Sequence, residues 1–512
     1  MEKPVIICID ATRMSRYADR PIVDGQSPMS LVFRSADMLR QAVGASSVVT
    51  LVDDTTPGDR PASHEYRRDW NEHDLVETLT SCSAGFDRHG SIVLLRGDAP
   101  FQLIDESQLL LQQHQQYFAH YSFCDGYPAG CTPEIISCDA LPLLQGLATD
   151  AGFRSLFALV ERDINAFDIE TRISPTDYRL LRLELRGDTR RNHLLCSRIA
   201  GRLYQTGDIT PPTAARLCEV LDTEQQLFRT LPASLNWILH GAASRPACYM
   251  PQVVSGPDAP LLSGAADPAL VLQSVREFAE LAGDGTVVLS HVGEPAEYPA
   301  VAEVIRGCVD LGLRVVVETD GIGWDTAMLQ TLAGQLEQQN KRQLLTWIVF
   351  LDANEPALYA QIRPDGSLEA ALAGYAALEA AFPEAVYVQA MRMQQNEHHL
   401  LDFYRHWKQH TERIIVQKYH TFAGRLPPQQ AADTSPIRRL PCWRLKREIT
   451  LLPDASMSMC HVDLFAPHVF GRIGDRPLAE MWEQHAEMYH LHLQQDYPGQ
   501  CAKCDEYYTF TF

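Results

Sequence analysis

The sequence predicts an α/β protein built largely from parallel sheets. Short apolar, β-branched runs recur along the chain and alternate with segments of helix length, an alternation typical of βαβ units. The predicted strands are Val5–Ile9, Val48–Val52, Ile92–Leu95, Val287–Leu289, Val315–Val317, Ile348–Leu351, Val386–Val388 and Ile414–Val416. The clearest predicted helices between them are Pro28–Val43, Ala269–Ala282 and Tyr298–Leu311.

The composition excludes several classes of protein. The chain has 512 residues, more than one ordinary core holds, and its 46% hydrophobic and 21% charged residues are typical of a soluble globular protein. A formal net charge of −21 argues against nucleic acid or an anionic membrane as a partner. No apolar run approaches the roughly 20 residues that cross a bilayer. The 13 cysteines are scattered irregularly, and the first residues do not resemble a secretory signal, so we expect a reduced, cytoplasmic setting.

Several predicted strands end in acidic residues, namely Asp10, Asp53, Asp98, Glu318 and Asp352. Ligands of parallel sheets bind at the carboxyl ends of strands, so these acids are candidate site residues. The alternative is that each acid caps the helix that follows its strand.

Two stretches divide the chain into three predicted domains. A helical pattern at Thr213–Phe228 runs into Leu231 and Pro232, and the Pro- and Gln-bearing stretch Leu426–Pro436 precedes Cys442. The predicted domains are therefore residues 1–228, 229–430 and 431–512.

The first predicted domain carries an acid in a glycine–proline turn. Residues 91–100 combine a buried strand with Gly97-Asp98-Ala99-Pro100, and the segments Tyr127–Ile136 and Asp188-Thr189 follow. In this order they resemble the nucleotidyltransferase fold of sugar cytidylyltransferases, an α/β sandwich. The resemblance implies that Asp98 binds the catalytic Mg²⁺, a hard cation that takes oxygen ligands. The family opens with a glycine-rich phosphate loop, but Ile9–Arg16 contains no glycine, so we expect a degenerate site.

The middle of the chain contains a strand that ends in the turn Gly293-Glu294-Pro295. The next strand ends in Thr319-Asp320-Gly321. This pattern resembles the partial (β/α)6 barrel of radical S-adenosylmethionine enzymes, whose second strand ends in a "GGEP" motif. The resemblance implies that Gly293, Glu294 and Pro295 contact S-adenosylmethionine.

The same family carries three cysteines after its first strand, which hold a [4Fe–4S] cluster with one open iron. The matching positions here are Ala243, Ala247 and Met250, so all three thiolates are missing. Cys248 lies one position out of register, and we expect it to be a small buried side chain. Alanine cannot ligate iron and a thioether is a poor substitute for a thiolate, so radical initiation and S-adenosylmethionine cleavage are doubtful.

Near the C-terminus, Cys442, Cys460, Cys501 and Cys504 form a quartet that ends in a CxxC pair. A β-hairpin with its turn at Pro453–Ser456 and a helix at Leu478–His490 are predicted between them. Four soft sulfur ligands suit either a [4Fe–4S] cluster or Zn²⁺, and the spacing alone does not decide between them.

The order of these cysteines resembles the SPASM extension of radical SAM enzymes, a small twitch-type cluster domain, in its single-cluster form. The run from nucleotidyltransferase-like domain through radical SAM-like barrel to SPASM domain resembles the spiro-SPASM family. That resemblance implies one auxiliary [4Fe–4S] cluster bound by the four cysteines.

Three functions remain open at this point. One is a divergent radical SAM/SPASM oxidoreductase or maturase that modifies a peptide or a nucleotide-linked sugar and exchanges electrons with a redox partner. Another is a non-catalytic binding or scaffold protein with a structural metal site formed by the four cysteines. The third is sugar cytidylyltransferase activity with Asp98 as the metal ligand.

Overall fold

A computed structural model describes residues 3–57, 61, 63–67, 75–86, 89–148, 155–205, 207–241, 243–255, 264–464 and 468–509. The chain forms two compact units, Met1–Thr230 and Leu231–Phe512. The predicted boundary near residue 228 lies beside the division between them, whereas the predicted boundary near residue 430 falls inside the second unit.

The described residues of the first unit form a mixed sheet with the strand order β3-β2-β1-β4-β6-β5-β7. Its strands are β1 (Val5–Asp10), β2 (Val48–Leu51), β3 (Glu65–Arg67), β4 (Ser91–Arg96), β5 (Tyr121–Asp125), β6 (Glu134–Ser137) and β7 (Ile169–Ile173). Its helices are α1 (Pro28–Val43), α2 (Leu75–Cys82), α3 (Ile104–Tyr117), α4 (Leu141–Leu147), α5 (Leu156–Val160), α6 (Arg190–Leu203) and α7 (Ala214–Thr223). Strand β6 is antiparallel to β4 and β5, and the remaining pairs are parallel.

Helices cover both faces of this sheet. Every residue of β1 is buried, and alternate residues face opposite ways. Ile6 packs in an apolar cluster with residues of α2, α4 and α5, whereas Ile7 packs in another with residues of α1 and α3. This is the layered α/β arrangement that continuous apolar strands predict.

The described residues of the second unit form a longer sheet with the strand order β13-β12-β11-β10-β9-β8-β14-β15-β16. Its strands are β8 (Ser234–Trp237), β9 (Thr286–Leu289), β10 (Arg314–Thr319), β11 (Leu345–Phe350), β12 (Val386–Arg392), β13 (Ile414–Lys418), β14 (Glu448–Leu451), β15 (Ser456–Ser458) and β16 (Val469–Arg472). Its helices are α8 (Gln252–Ser255), α9 (Pro268–Ala282), α10 (Val301–Asp310), α11 (Thr326–Gln338), α12 (Pro356–Ile362), α13 (Leu368–Ala381), α14 (Leu400–Lys408) and α15 (Leu478–Leu493).

Strands β8 to β13 are consecutive, parallel and separated by helices, which is the topology predicted for the partial (β/α)6 barrel. Strand β14 then pairs in parallel with β8, so that Thr450 lies opposite Asn236. The β14–β15 hairpin has its turn where the sequence predicts it, with Leu451 opposite Met457. The C-terminal segment therefore extends the barrel sheet and covers the edge that β8 would otherwise expose.

The predicted α/β class is confirmed, with one mixed sheet in each unit. Within the described residues, no helix is both long enough and apolar enough to cross a membrane.

Candidate metal centre and barrel mouth

Three separate segments carry the four C-terminal cysteines. Cys442 lies just before a short 3-10 turn and Cys460 follows β15, whereas Cys501 lies in another 3-10 turn near the end of the chain and Cys504 directly follows that turn. The side chains interact with one another: Cys442, Cys501 and Cys504 raise the pKa of Cys460, and Cys442 also raises the pKa of the CxxC pair. The fold thus brings thiols that are up to 62 residues apart along the chain within electrostatic range of one another.

Burial is the main reason that these thiols resist ionisation. It raises the pKa of Cys501 and of Cys504 to about 12, that of Cys460 well above its usual value, and that of Cys442 as well. The metal-free thiols are therefore protonated at neutral pH, and metal binding must release protons.

Backbone N–H groups point at two of the sulfur atoms. The Glu506 N–H donates to Cys504 Sγ at 3.3 Å, and the N–H groups of Arg444 and Leu445 lower the pKa of Cys442 against the effect of burial. Such donors favour a thiolate and tune iron–sulfur clusters. These N–H donors therefore favour the thiolate form of Cys442 and Cys504.

No three side chains of Cys, His, Asp or Glu are gathered closely enough to hold a metal ion as they stand, in the part of the chain that the structure describes. The ligand set Cys442, Cys460, Cys501 and Cys504 rests on burial, mutual interaction and N–H donors, and it remains a prediction.

The residues after the CxxC pair are held by buried charges. Glu506, which is 1% exposed, accepts from Lys418 Nζ of β13 at 2.9 Å and lies 3.4 Å from Arg444 Nη2. The Trp443 N–H donates to the Tyr507 carbonyl at 3.1 Å. His492 of α15 accepts the Cys442 N–H at 3.3 Å. These contacts join the last cysteines to a barrel strand and to the segment of the first cysteine.

The barrel-mouth loop Ala243–Pro251 follows β8 and carries the three positions that the resemblance to radical SAM enzymes predicts for cluster cysteines. Ala247 is fully buried and Met250 is 3% exposed, and both belong to the apolar core of the second unit. Two of the three positions that would need thiolates are thus filled by packed apolar side chains.

A guanidinium lies beside these positions. Arg245 Nε donates to Asp320 Oδ2 at 2.9 Å, and its Nη2 donates to the Ile322 carbonyl at 3.3 Å. Arg245 also forms an ion pair with Glu297 at 3.2 Å. The loop is therefore attached to the ends of two neighbouring barrel segments by a cation.

A second, fully buried network holds the other end of the loop. The Tyr249 hydroxyl donates to Asp352 Oδ2 at 2.8 Å, and Arg363 donates to the Tyr249 oxygen at 2.6 Å and to Asp352 Oδ2 at 3.1 Å. The Met391 N–H donates to the other carboxylate oxygen at 2.9 Å. Burial opposes the Arg363 charge, but Tyr249 and Asp352 raise its pKa overall.

Cys248, the cysteine out of register in this loop, is mostly buried. Its N–H donates to the Ile362 carbonyl at 2.8 Å, and its Sγ accepts from Gln395 Nε2 at 3.2 Å. Burial raises its pKa.

The Gly293 turn is fixed by packing against the end of the first barrel strand. A Cβ on Gly293 would lie 1.7 Å from the His240 carbonyl oxygen, so only glycine fits. His240 Nε2 lies 2.7 Å from the Glu294 carbonyl oxygen and must donate to it, because that oxygen can only accept. Pro295 begins a 3-10 turn.

The Glu294 side chain points inward. It is 3% exposed and accepts from Thr319 Oγ1 at 2.5 Å, from the Asp320 N–H at 2.8 Å and from the Ala296 N–H at 3.1 Å. Burial, reinforced by the Asp320 charge, raises its pKa to about 8. The carboxyl thus organises the ends of β9 and β10.

In the first unit, Asp98 does not fit a magnesium ion as it stands. The carboxylate is 2% exposed, and Arg186 engages both of its oxygens, with Nε to Oδ1 at 3.1 Å and Nη2 to Oδ2 at 2.9 Å. The Asp188 carboxyl nearby has a raised pKa, chiefly from burial. A cation would have to displace the guanidinium.

The glycine-free loop after β1 has its N–H groups engaged within the protein. The Arg13 N–H donates to Asp53 Oδ2 at 2.7 Å, and the Met14 N–H donates to Thr55 Oγ1 at 2.8 Å. Side chains from the segment after β2 thus occupy N–H groups that a phosphate would need.

The strand-end acids serve as caps and as partners of cations. Asp53 accepts the Thr55 N–H at 2.8 Å, in the manner of a cap, and Glu318 lies 2.9 Å from the His291 ring. The arginines that neutralise Asp98 and Asp320 carry no sequence motif, since they are 88 and 75 residues from their partners, whereas Arg363 follows Asp352 by 11 residues.

The fold and the C-terminal segment together define an α/β protein with a SPASM domain, an iron–sulfur cluster-binding domain whose family matches residues 442–505. The chain belongs to the same family as an uncharacterized protein of Treponema pallidum (strain Nichols), which is 32% identical over 368 residues, 70% of this chain and 98% of that protein. A second uncharacterized protein of the same organism is 41% identical over 61 residues, 12% of this chain and 28% of that protein.

Three solved structures are similar over large parts of the chain. BtrN in complex with AdoMet and 2-DOIA matches 55% of this chain and 93% of its own, with 15% identity and a TM-score of 0.35. SuiB of Streptococcus suis bound to the precursor peptide SuiA matches 71% of this chain and 86% of its own, with 9% identity and a TM-score of 0.43. A cytidylyltransferase from Leptospira borgpetersenii matches 44% of this chain and 97% of its own, with 15% identity and a TM-score of 0.35.

Proposed function

We propose that this protein is a spiro-SPASM protein that binds one auxiliary [4Fe–4S] cluster and does not initiate radical chemistry in its barrel. Cys442, Cys460, Cys501 and Cys504 are the proposed ligands. The observation that carries the proposal is the contrast between two places in the second unit: interacting thiols at the tail, and an ion-paired loop at the barrel mouth whose three candidate ligand positions carry no thiol.

With all four thiolates bound, such a cluster has no open iron, so when present it supplies electron transfer or structural cross-linking. The chain's own part is to exclude water and to aim N–H donors at the sulfur atoms. The Glu506 N–H performs this for Cys504, and the buried Cys442 and Cys501, with the partly buried Cys460 and Cys504, provide the apolar surroundings.

Loss of radical initiation follows from the barrel-mouth loop. Ala243, Ala247 and Met250 provide no thiolate, and the Arg245 and Tyr249 contacts attach the loop to the barrel without a cluster. S-adenosylmethionine bound at the Gly293 turn would lack the open iron to which it coordinates in radical SAM enzymes. The proposed role is recognition or modification of a peptide or nucleotide-linked sugar, with an electron-transfer partner for the cluster.

The proposal is tested by anaerobic purification, iron and sulfide analysis, and electron paramagnetic resonance after reduction. The expected result is about four irons per chain in one cubane. C501S and C504S should each lose most of the iron, whereas C308S, which alters a fully buried cysteine of α10, should keep it. About eight irons per chain, or 5′-deoxyadenosine formed from S-adenosylmethionine under reducing conditions, would contradict the proposal.

A structural role for the metal site is favoured by the Glu506 contacts, which join the cluster segment to β13. In that case C504S should lower the unfolding midpoint of the second unit as well as the iron content. An unchanged midpoint together with lost iron would favour electron transfer. A content of one zinc per chain, without sulfide, would show that the site holds a structural zinc and not a cluster.

Cytidylyltransferase activity of the first unit is a weaker proposal, because Arg186 engages both oxygens of Asp98. Release of pyrophosphate from CTP in the presence of an acidic sugar, abolished in D98A, would establish it.

A further inference from the structure

One edge of the sheet in the first unit is a strand that has a partner on one side only. Strand β7 comes last in the strand order and pairs in parallel with β5, and no other described strand lies beside it. The outer side of an edge strand presents unpaired N–H and C=O groups, which can pair with a strand of another chain. The outer edge of β7 is therefore a candidate interaction surface.

The hydrogen bonds to β5 show which backbone groups of β7 point outward. The Tyr121 N–H donates to the Asp168 carbonyl at 3.3 Å, and the Ser174 N–H donates to the Asp125 carbonyl at 2.8 Å. The backbone groups of successive strand residues point to opposite sides, so the even-numbered residues from 168 to 174 face β5. The residues whose N–H and C=O groups point outward are Ile169, Thr171 and Ile173.

The outer side of β7 lacks the usual protection of a free edge. Among the residues that the structure describes, none bonds to the outward N–H and C=O groups. The strand contains no proline and no lysine, and its pairing with β5 has no bulge. Ile173 also leaves an apolar side chain 75% exposed beside the unpaired backbone. These features favour addition of a further strand.

The sequence of β7, Ile-Glu-Thr-Arg-Ile, is complementary to itself about Thr171. When two copies run antiparallel with a two-fold axis at Thr171, Ile169 lies opposite the second copy's Ile173, and Glu170 lies opposite the second copy's Arg172. Each outward-facing residue then meets another outward-facing residue, so these pairs can exchange N–H···O bonds. An axis at Glu170 or at Arg172 would also match the backbone, but it would place like charges directly opposite each other, which is destabilising. The charges therefore select the axis at Thr171.

Contacts within the first unit already hold the two charged side chains on one face of the sheet. Glu170 Oε2 accepts from Gln113 Nε2 of α3 at 2.7 Å, and Arg172 Nη2 donates to Glu106 Oε1 of α3 at 3.4 Å. Residues that lie opposite each other in an antiparallel pair project from the same face, so Glu170 meets the second copy's Arg172 on the side of α3. The Arg172 side chain is 32% exposed, which leaves its guanidinium accessible to a second carboxylate.

We propose that β7 is a dimerisation edge, on which β7 of a second copy of this chain pairs antiparallel about a two-fold axis at Thr171. The described strands of the two sheets then form one continuous sheet. Such an interface uses the same surface on both copies and closes as a dimer, so it removes this free edge from each of them. The strand has five residues, so the dimer should dissociate on dilution. The proposal concerns the first unit and does not depend on the proposed cluster.

Sedimentation equilibrium of the full chain over a range of concentrations tests the proposal, and a reversible monomer–dimer equilibrium is expected. T171P removes an outward N–H group but no bond to β5, so it should raise the dimer dissociation constant roughly tenfold or more while the monomer stays folded. The matched control is T171V, which keeps the N–H group and a β-branched side chain and should dimerise as the unaltered chain does. A chain that is monomeric at every concentration, or equal dissociation constants for T171P and T171V, would overturn the proposal.

Two cysteine substitutions test the position of the axis. In the proposed dimer the two Thr171 Cα atoms are about 5.5 Å apart, which a disulfide can span, whereas the two Ile173 Cα atoms are about 14 Å apart. Under mild oxidation T171C should therefore form a cross-linked dimer beyond the level seen in the unaltered chain, and the more exposed I173C should not. Equal cross-linking of the two variants, or none in T171C, would contradict the axis at Thr171.

Exchange of the charges tests the proposed cross-strand ion pairs. E170R places like charges opposite each other in both pairs and should weaken self-association roughly tenfold or more, whereas the neutral E170Q should weaken it less. R172E should also self-associate weakly, and an equimolar mixture of E170R and R172E should dimerise more tightly than either variant alone, because each arginine again meets a glutamate. Equal dissociation constants for E170R and E170Q would refute the role of the ion pairs, and this comparison decides the question even if R172E fails to fold beside Glu106.

Discussion

Replacement of Arg363 by methionine should destabilise the second unit strongly. Arg363 is 1% exposed and Asp352 fully buried, and R363M would leave the carboxylate without its cation. At the 3.1 Å separation of Arg363 Nε and Asp352 Oδ2, the attraction is roughly 5 kcal/mol with an effective dielectric constant of about 20. Removing one partner of a buried pair costs about 3–5 kcal/mol, because the remaining charge stays buried.

The thermal unfolding midpoint measures this effect. In a unit of this size each kcal/mol shifts the midpoint by roughly 2 °C, so R363M should lower it by roughly 6–10 °C. The double variant R363M/D352N should recover part of the loss, since it removes the uncompensated charge; asparagine also tolerates the positive φ of 62° at this position. The coupling energy from the full cycle should be about 2 kcal/mol or more.

An exposed pair of similar geometry provides the control. Arg392 and Glu397 approach to 2.6 Å, but their side chains are 42% and 44% exposed. R392M should therefore cost no more than about 1 kcal/mol. If R363M and R392M shift the midpoint equally, or if D352N fails to rescue R363M, the buried pair does not stabilise the loop and the reasoning is wrong.

Two further predictions concern the Gly293 turn. G293A should unfold or aggregate because its Cβ would overlap the His240 carbonyl. The control is G334A in α11, where a Cβ meets nothing within 4 Å, and this variant should be neutral or stabilising by about 0.5–1 kcal/mol. Comparable thermal unfolding midpoints for the two variants would contradict this prediction. Because burial raises the pKa of Glu294 from 4.5 to about 8, its contribution to stability is fully present below pH 4.5 and is lost as the pH rises to about 8. In E294Q the free energy of unfolding, measured by urea titration, should vary less between these pH values. If the free energy of unfolding of E294Q depends on pH as strongly as that of the unaltered chain, the assignment is wrong.

The alternation of strands and helices could be predicted because it follows from local composition. Val386–Val388 and Ile414–Val416 are apolar, β-branched runs, and each belongs to a longer strand in the barrel sheet. The pairing of β14 with β8 could not be predicted in this way, because Thr450 and Asn236 lie far apart in sequence and no local pattern indicates that they pair.

The candidate site likewise combines features that the local sequence predicts with features that depend on the tertiary fold. Cysteine spacing predicts the thiol quartet because a CxxC turn is a local feature. The cations that meet the strand-end acids depend on the tertiary fold: Arg245 is 75 residues from Asp320, and Arg186 is 88 residues from Asp98. The sequence therefore predicts which acids lie at the carboxyl ends of strands, but not that an arginine already neutralises them.

The retained Gly-Glu-Pro turn is explained by packing alone. Gly293 is required by the His240 carbonyl, the Glu294 side chain binds the ends of two strands, and Pro295 begins a turn. A chain that had lost S-adenosylmethionine chemistry would still need all three residues to keep β8, β9 and β10 in register. The turn is therefore explained without a bound nucleoside, and it is not by itself evidence for one.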